Sequence, residues 1–152
     1  MGNRSRRGFT LLEMVCVLAI VGLMASVLLP VMPRATSRSR LESCAVEIAT
    51  LLKGDRNAAM SRGDSVATRV DAAGRRIASG ASRVVVELPG DVRLDAVLPQ
   101  TCGQQAARST IRFFADGSSC GGSIALRRLE WTYAIEVNWL TGRVEIVAAA
   151  IH

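Results

Sequence analysis

The residues of this sequence that could do chemistry are one isolated carboxylate, four cysteines and a single histidine. Glu13 directly precedes residues 14–33, a run of 20 residues without a charged side chain. The only histidine is His152, so the sequence holds no HExxH zinc motif, and we expect no Ser-His or Cys-His pair in a folded core. No GxxxxGK[ST] or GxGxxG phosphate-binding fingerprint occurs. These observations argue against an enzyme and against a bound cofactor.

The uncharged run has the length of a membrane span, and a basic segment precedes it. A helix over residues 14–33 would be about 30 Å long at about 1.5 Å per residue, which is the thickness of a bilayer's hydrocarbon core. Arg4, Arg6 and Arg7 lie before it and belong to the 19 basic residues of the chain. With 152 residues, 49% of them hydrophobic, the remainder suits one folded domain.

Several kinds of N-terminal segment combine basic and apolar residues. A secretory signal peptide has an apolar region of about 7–15 residues followed by an Ala-x-Ala cleavage site, whereas this run is longer and has no such site. A lipoprotein signal fits poorly because Val15 precedes Cys16 where a small residue is expected. A plain signal anchor remains open. Glu13 argues against it, because a carboxylate at the edge of a membrane helix costs a few kcal/mol and is usually functional.

The string from Gly8 through Glu13 reads GFTLLE after the short basic leader. It resembles the class III signal of type IV pilins and pseudopilins. The resemblance implies that a prepilin peptidase removes residues 1–8 by cutting between Gly8 and Phe9 and then methylates Phe9. It also implies that Glu13 serves in self-assembly. Cleavage would discard three basic residues, so the basic character of the whole chain is not taken as a sign of nucleic-acid binding.

The assembly role also has a physical reason. A newly exposed amine at Phe9 is positively charged near neutral pH, and Glu13 follows it by one helical turn. Each charge is costly alone in a medium of low dielectric constant and much less costly when paired. Helices stacked with an axial offset can therefore place the amine of one subunit against Glu13 of the next, which would set the register of a filament.

Beyond the apolar run the pattern predicts a helix and then a sheet. We place the transmembrane part of the helix at 9–33, where Pro30 and Pro33 end it or bend it. An amphipathic periplasmic helix follows over 34–62 and stops at Gly63, with Glu42, Glu47, Lys53 and Arg56 off its apolar stripe. An antiparallel β domain fills 63–152. Alternating residues and turn signals predict strands at 65–70, 75–78, 84–88, 110–114, 123–128, 132–138 and 143–147.

Three further segments resemble the H-type minor pseudopilins and the FimT-like group: the helix end at 51–60, the stretch 111–124 and the hairpin 137–146. The resemblance implies an α+β pilin-like fold, in which the second half of a long N-terminal helix packs on the β domain. It implies a minor pseudopilin of type II secretion, held in the inner membrane with its C-terminal domain in the periplasm. The expected partners are other minor and major pseudopilins, the prepilin peptidase/methyltransferase, the assembly platform and the lipid bilayer.

The alternative function is a FimT-like minor pilin of a type IV pilus, involved in pilus assembly or DNA uptake. Relatives that bind DNA would carry a Gly-Arg-x-Arg element near the C-terminus. Here the string is Gly142-Arg143-Val144-Glu145, with an acid in place of the second arginine. We therefore do not expect nucleic acid as a partner.

The cysteines fall into three environments. Cys16 lies in the predicted membrane helix, and Cys44 lies on the apolar stripe of the second helix, where we expect a small buried hydrophobe. Cys102 and Cys120 both lie in Gly-rich segments that would face the oxidising periplasm. We predict a disulfide between them, with two buried free thiols as the alternative. A zinc site is not expected, because no CxxC pair occurs.

Overall fold

The computed structural model describes residues 9–28, 35–107 and 109–150, and the chain divides into two compact units, Met1–Ala35 and Thr36–His152. In the first unit, helix α1 spans Leu11–Leu28. Among the described residues, no helix is long and apolar enough to cross a membrane. The predicted cleavage residue Gly8 and the prolines at 30 and 33 lie outside the described residues.

Helix α2 spans Arg38–Arg62 in the second unit, and the sequence determines both of its ends. Ser37 is the N-cap, and its hydroxyl accepts a hydrogen bond from the backbone N–H of Arg40 at 3.2 Å. Gly63 closes the helix in the left-handed conformation, with φ +67°, and its N–H bonds to the carbonyl of Ala59. The predicted stop is confirmed. The start is corrected from 34 to Arg38, because Ser37 has an extended backbone.

Two antiparallel four-stranded sheets and a short hairpin form the β domain. The first sheet has the order β3-β2-β1-β7 and the second β10-β9-β8-β4, while β5 and β6 pair with each other. The strands are β1 Val66–Asp71, β2 Arg76–Ala78, β3 Val85–Glu87, β4 Arg93–Val97, β5 Thr101–Cys102, β6 Gln105–Ala106, β7 Thr110–Phe113, β8 Gly122–Arg128, β9 Trp131–Val137 and β10 Val144–Ala150.

The core lies where α2 packs on both sheets, mainly on β1, β9 and β10. Alternate residues of the central strands face it, as the sequence pattern predicts. Helix α2 contributes the stripe Leu41, Cys44, Ala45, Ile48, Ala49, Leu51, Leu52 and Ala59. Ile146 differs from the expectation: it follows the alternation of β10 but remains 38% exposed, because β10 is the last strand of its sheet.

Strand β4 is not among the strands that the sequence predicts, and Cys102, which the sequence places in a Gly-rich segment, belongs to β5. Strand β4 forms an edge of the second sheet. In it Leu94 is the one fully buried residue, and Arg93 and Asp95 alternate with the apolar positions. An edge strand needs few apolar residues, so its signal is weak. The alternation of Val92, Leu94 and Ala96 is the pattern that could have revealed it.

Candidate functional site

The N-terminal candidate site occupies the start of α1. Thr10 starts this helix, because its carbonyl oxygen accepts hydrogen bonds from the N–H groups of Glu13 at 3.0 Å and Met14 at 3.3 Å. Glu13 is exposed in the first turn and is the one charged residue of α1. Phe9 is also exposed. The structure therefore brings Phe9 and Glu13 to one end of the helix, while Gly8 lies outside the described residues.

The side chains of this unit are apolar around the whole helix. Residues that would be buried in a water-soluble domain are exposed along its length: Leu11, Leu12, Met14, Val15, Val17, Leu18, Ile20, Val21, Leu23 and Met24. A helix that is hydrophobic on every side is normally covered by protein or lipid. Glu13 is thus a single carboxylate at the end of an entirely apolar surface.

In the second unit, Arg56 joins α2 to two turns that are far apart in the sequence. Its Nε donates to the carbonyl oxygen of Gly117 at 3.0 Å, and its Nη2 donates to the carbonyl oxygen of Thr141 at 3.0 Å. The first turn lies in the stretch 111–124 and the second in the hairpin 137–146, which are two of the segments that resemble the H-type group. One guanidinium therefore fixes both elements, because its planar array of donors can bind two carbonyl groups at once.

The same contact explains the glycine of the second turn. Gly142 has φ +63°, and a Cβ atom there would overlap the carbonyl oxygen of Gly117 and lie 2.9 Å from Nε of Arg56. Any side chain would push the two turns apart. The N–H of Gly142 donates to the carbonyl of Asn138 at 2.8 Å. The hairpin between β9 and β10 is thereby held against α2.

A second polar cluster surrounds Asp55, which is buried on α2 with 1% of its surface exposed. Its carboxylate accepts hydrogen bonds from the hydroxyl groups of Thr68 and Ser79 and from the backbone N–H groups of Gly80, at 2.9 Å, and Ala81, at 3.2 Å. Four donors around one carboxylate satisfy a group that would otherwise be costly to bury. The cluster ties α2 to β1 and to the loop after β2.

A third cluster fixes the segment that leads into α2. Asp91 accepts hydrogen bonds from the hydroxyl of Thr36 at 2.6 Å and its N–H at 2.8 Å, and it pairs with Nε of Arg128 at 2.7 Å. The bonds from Thr36, followed by the bond from Arg128, hold the pKa of Asp91 well below its usual range. The start of the second unit is thus attached to the β domain.

Cys16 lies in α1 and Cys44 lies on the buried face of α2, whereas Cys102 belongs to β5. Cys102 and Cys120 are adjacent, with their Cα atoms 5.6 Å apart, which is within the range that a disulfide requires; the bond itself stays a prediction. Cys44 is confirmed as a buried core residue, and burial raises the pKa of its thiol. No group of three or more His, Cys, Asp or Glu residues that could hold a metal ion occurs in the described part of the chain.

Asp55 and Asp91 are not among the residues that the sequence pattern predicts to be functional, and the pattern places Arg56 only off the apolar stripe of the helix. A signal existed for Asp55, which follows Leu51 and Leu52 at helical spacing on the buried stripe of α2. An acid on that face predicts a buried polar cluster. No comparable local signal existed for Arg56 or Asp91, because their partners are distant in the sequence.

Comparison of the sequence with known proteins gives two findings. The family described as the prokaryotic N-terminal methylation motif matches residues 3–29. The type II secretion system protein H of Xanthomonas campestris pv. campestris is 28% identical over 142 residues, which cover 93% of this chain and 83% of that protein.

Solved structures share the fold. The minor pseudopilin EpsH from the type 2 secretion system of Vibrio cholerae superposes with a TM-score of 0.56 at 14% identity, covering 70% of this chain and 95% of that one. The type IV minor pilin FimU of Pseudomonas aeruginosa superposes with a TM-score of 0.53 at 17% identity, covering 75% and 96%. The predicted pilin-like α+β fold is confirmed. The N-terminal motif, the relative that covers most of the chain and the fold make this chain similar to the H-type minor pseudopilins.

Proposed function

We propose that this chain is a structural subunit of the periplasmic pseudopilus of a type II secretion system. In this proposal the leader 1–8 is removed between Gly8 and Phe9, and Phe9 is methylated. Residues 9–33 hold the protein in the inner membrane, and the domain from Thr36 onward lies in the periplasm. The relative from Xanthomonas, which is a type II secretion protein by name, supports the assignment to secretion.

The observation that carries the proposal is the surface of α1. It is apolar on all sides, it carries one acid in its first turn, and it coincides with the matched methylation motif. A helix that contacts its partners in water would need a polar face on the side that stays exposed to solvent. A helix that is stored in lipid and then packed among other helices needs none, and it benefits from a single charge that selects a partner.

Glu13 has a defined task in this mechanism. Its carboxylate would pair with the methylated amine of Phe9 on a neighbouring subunit, because the two groups lie at the same end of α1 and bear opposite charges. In lipid or among packed helices an unpaired carboxylate is costly, so the pair forms only when the neighbouring helix has the correct axial offset. The other subunits would be minor and major pseudopilins, added at the inner-membrane assembly platform. No catalytic task is proposed.

Processing is tested by the intact mass of the protein after co-expression with its prepilin peptidase. The expected mass lacks residues 1–8 and includes one additional methyl group on Phe9. A bulky or charged residue in place of Gly8 should block the cut. An unchanged mass of the wild-type chain would favour a plain signal anchor instead.

Assembly is tested by the substitution Glu13→Gln, which keeps the size of the side chain and removes its charge. Cleavage and membrane insertion should be unchanged, whereas crosslinking to partner pseudopilins in membranes should fall by at least about tenfold, since breaking a buried pair costs several kcal/mol. Glu47→Gln, at an exposed position of α2, is the matched control and should crosslink normally. Normal crosslinking by fully processed Glu13→Gln protein would contradict the proposed pair.

The type IV minor pilin is the second candidate, because FimU shares the fold. Its DNA-uptake version would require a basic C-terminal element. In this structure Arg143 forms an ion pair with Glu145 at 2.8 Å, which offsets the positive charge that a phosphate would need. We therefore expect no retardation of duplex DNA by the full chain in detergent at physiological salt. Retardation that weakens steeply with salt would favour the second candidate.

A further inference from the structure

An open groove of about 860 Å³ lies at one end of the second sheet. Its floor includes Gly121 and Gly122, where the backbone has no side chains to fill the space. A Cβ atom at Gly121 would lie 3.1 Å from Cβ of Trp139, and one at Gly122 would lie 3.0 Å from Cδ2 of Leu98. Side chains at these two positions would narrow the groove, so its depth depends on both glycines.

Large apolar side chains are exposed at and beside the rim. Val97 is 77% exposed, Trp139 is 66% exposed, and the neighbouring Leu140 is 63% exposed. These residues are not on a loose loop. The carbonyl of Trp139 accepts the N–H of Ser119 at 2.9 Å, and the side chain of Asn138 accepts the N–H of Leu140 at 2.9 Å. A rigid, exposed tryptophan beside a cleft is the kind of residue that dominates protein–protein interfaces.

The charge on the groove wall indicates what it binds. Glu136 of β9 and Glu145 of β10 are direct cross-strand partners, and both line the groove. Like charges in this position repel each other. Arg143 pairs with Glu145 at 2.8 Å, and no described residue forms an ion pair with Glu136. A cation entering the groove would therefore gain the attraction of Glu136 and relieve the repulsion between the two carboxylates.

We propose that this groove docks a segment of another pilin-like subunit, different from this chain, in which a lysine or arginine lies beside an apolar side chain. The cation would bind Glu136, and the apolar residue would pack on Trp139 and Val97. Charge complementarity selects a basic segment, and the exposed tryptophan supplies most of the contact area. The inference rests on the proposed function, since the partner belongs to the same assembly.

The test places a photo-crosslinking amino acid at position 97 of the full chain, in membranes that contain the cognate pseudopilins. A second probe at position 12 of α1 reports on assembly itself. We expect the position-97 probe to join a peptide of another pilin-like subunit that contains lysine or arginine. Crosslinking there to a second copy of this chain, to lipid or to a peptide without a cation would overturn the proposal.

Variants sharpen the test. Glu136→Lys should reduce the crosslink from position 97 by about tenfold or more, and Trp139→Ala by a similar factor. The conservative Glu136→Gln should reduce it less. Glu87→Lys, an exposed position on β3 of the other sheet, is the control and should have no effect. Crosslinking from position 12 without crosslinking from position 97 would refute only the proposal that the groove docks a partner. Loss of crosslinking from both positions would refute the proposed function.

Discussion

The buried carboxylate of Asp55 allows a prediction whose size follows from the structure. Replacing Asp55 with Ala removes the acceptor for four donors. Three of these donors, on Ser79, Gly80 and Ala81, are partly exposed and can turn to water, but Thr68 is fully buried and would lose its partner. Leaving one buried hydroxyl unsatisfied costs about 1–3 kcal/mol. Loss of the remaining charge-assisted bonds brings the total to about 3–5 kcal/mol.

That loss is large relative to the stability of a domain, which is about 5–15 kcal/mol. We expect Asp55→Ala to lower the Tm by on the order of 15 °C. Asp55→Asn should lower it by less, because the amide keeps one acceptor oxygen but turns an N–H₂ group towards other donors. Both effects are measured on the full chain in detergent by the near-ultraviolet circular dichroism of its tryptophans during heating.

The matched control is Asp64→Asn. Asp64 follows Gly63, the C-cap of α2, and is exposed, and its carboxylate accepts one local hydrogen bond, from the N–H of Ser65 at 2.6 Å. A substitution there should change the stability by less than about 0.5 kcal/mol. If Asp55→Ala melted within about 2 °C of the wild type, the carboxylate would not be the link between α2 and the sheet that its contacts indicate.

Three other predictions concern the β domain. Peptide mapping without reduction should find Cys102 joined to Cys120, and free alkylation of both thiols in the native protein would contradict the disulfide. The pKa of Asp91 is depressed in the folded state, so its contribution to stability is present above the unfolded pKa of about 3.9 and is lost as the pH falls through the lower folded value. In Asp91→Asn the free energy of unfolding should therefore depend less on pH in that range. Identical acid-unfolding profiles of the variant and the wild type would refute this. Gly142→Ala should lower the Tm, whereas Gly54→Ala, an exposed helical position with open space around it, should keep or raise it.

Features of the fold that depend on neighbouring residues could be predicted from the sequence. Helix α2 ends where Gly63 permits a left-handed residue, and its buried face follows from the spacing of apolar residues. The central strands follow from alternation, because both of their neighbours are strands and one face is covered. Residues at the edges of the sheets are predicted poorly from the sequence. Strand β4 has too few apolar residues to stand out, and Ile146 has the alternation of a core residue but is not fully buried.

The candidate sites also differ in whether they depend on residues that are close together or far apart in the sequence. Phe9 and Glu13 belong to one short motif, so their placement on a helix is a local matter that the sequence can indicate. Arg56 acts between turns that are 24 residues apart, at Gly117 and Thr141. Turn chemistry explains why glycine follows Asp116 and Thr141, but it does not tell which carbonyl groups the turns present or to what. That depends on how α2 crosses the sheets, because only this crossing brings one guanidinium to both turns. The same contact fixes the hairpin that carries Trp139, so an α2 residue that looks like ordinary surface charge in the sequence positions the exposed edge of the groove.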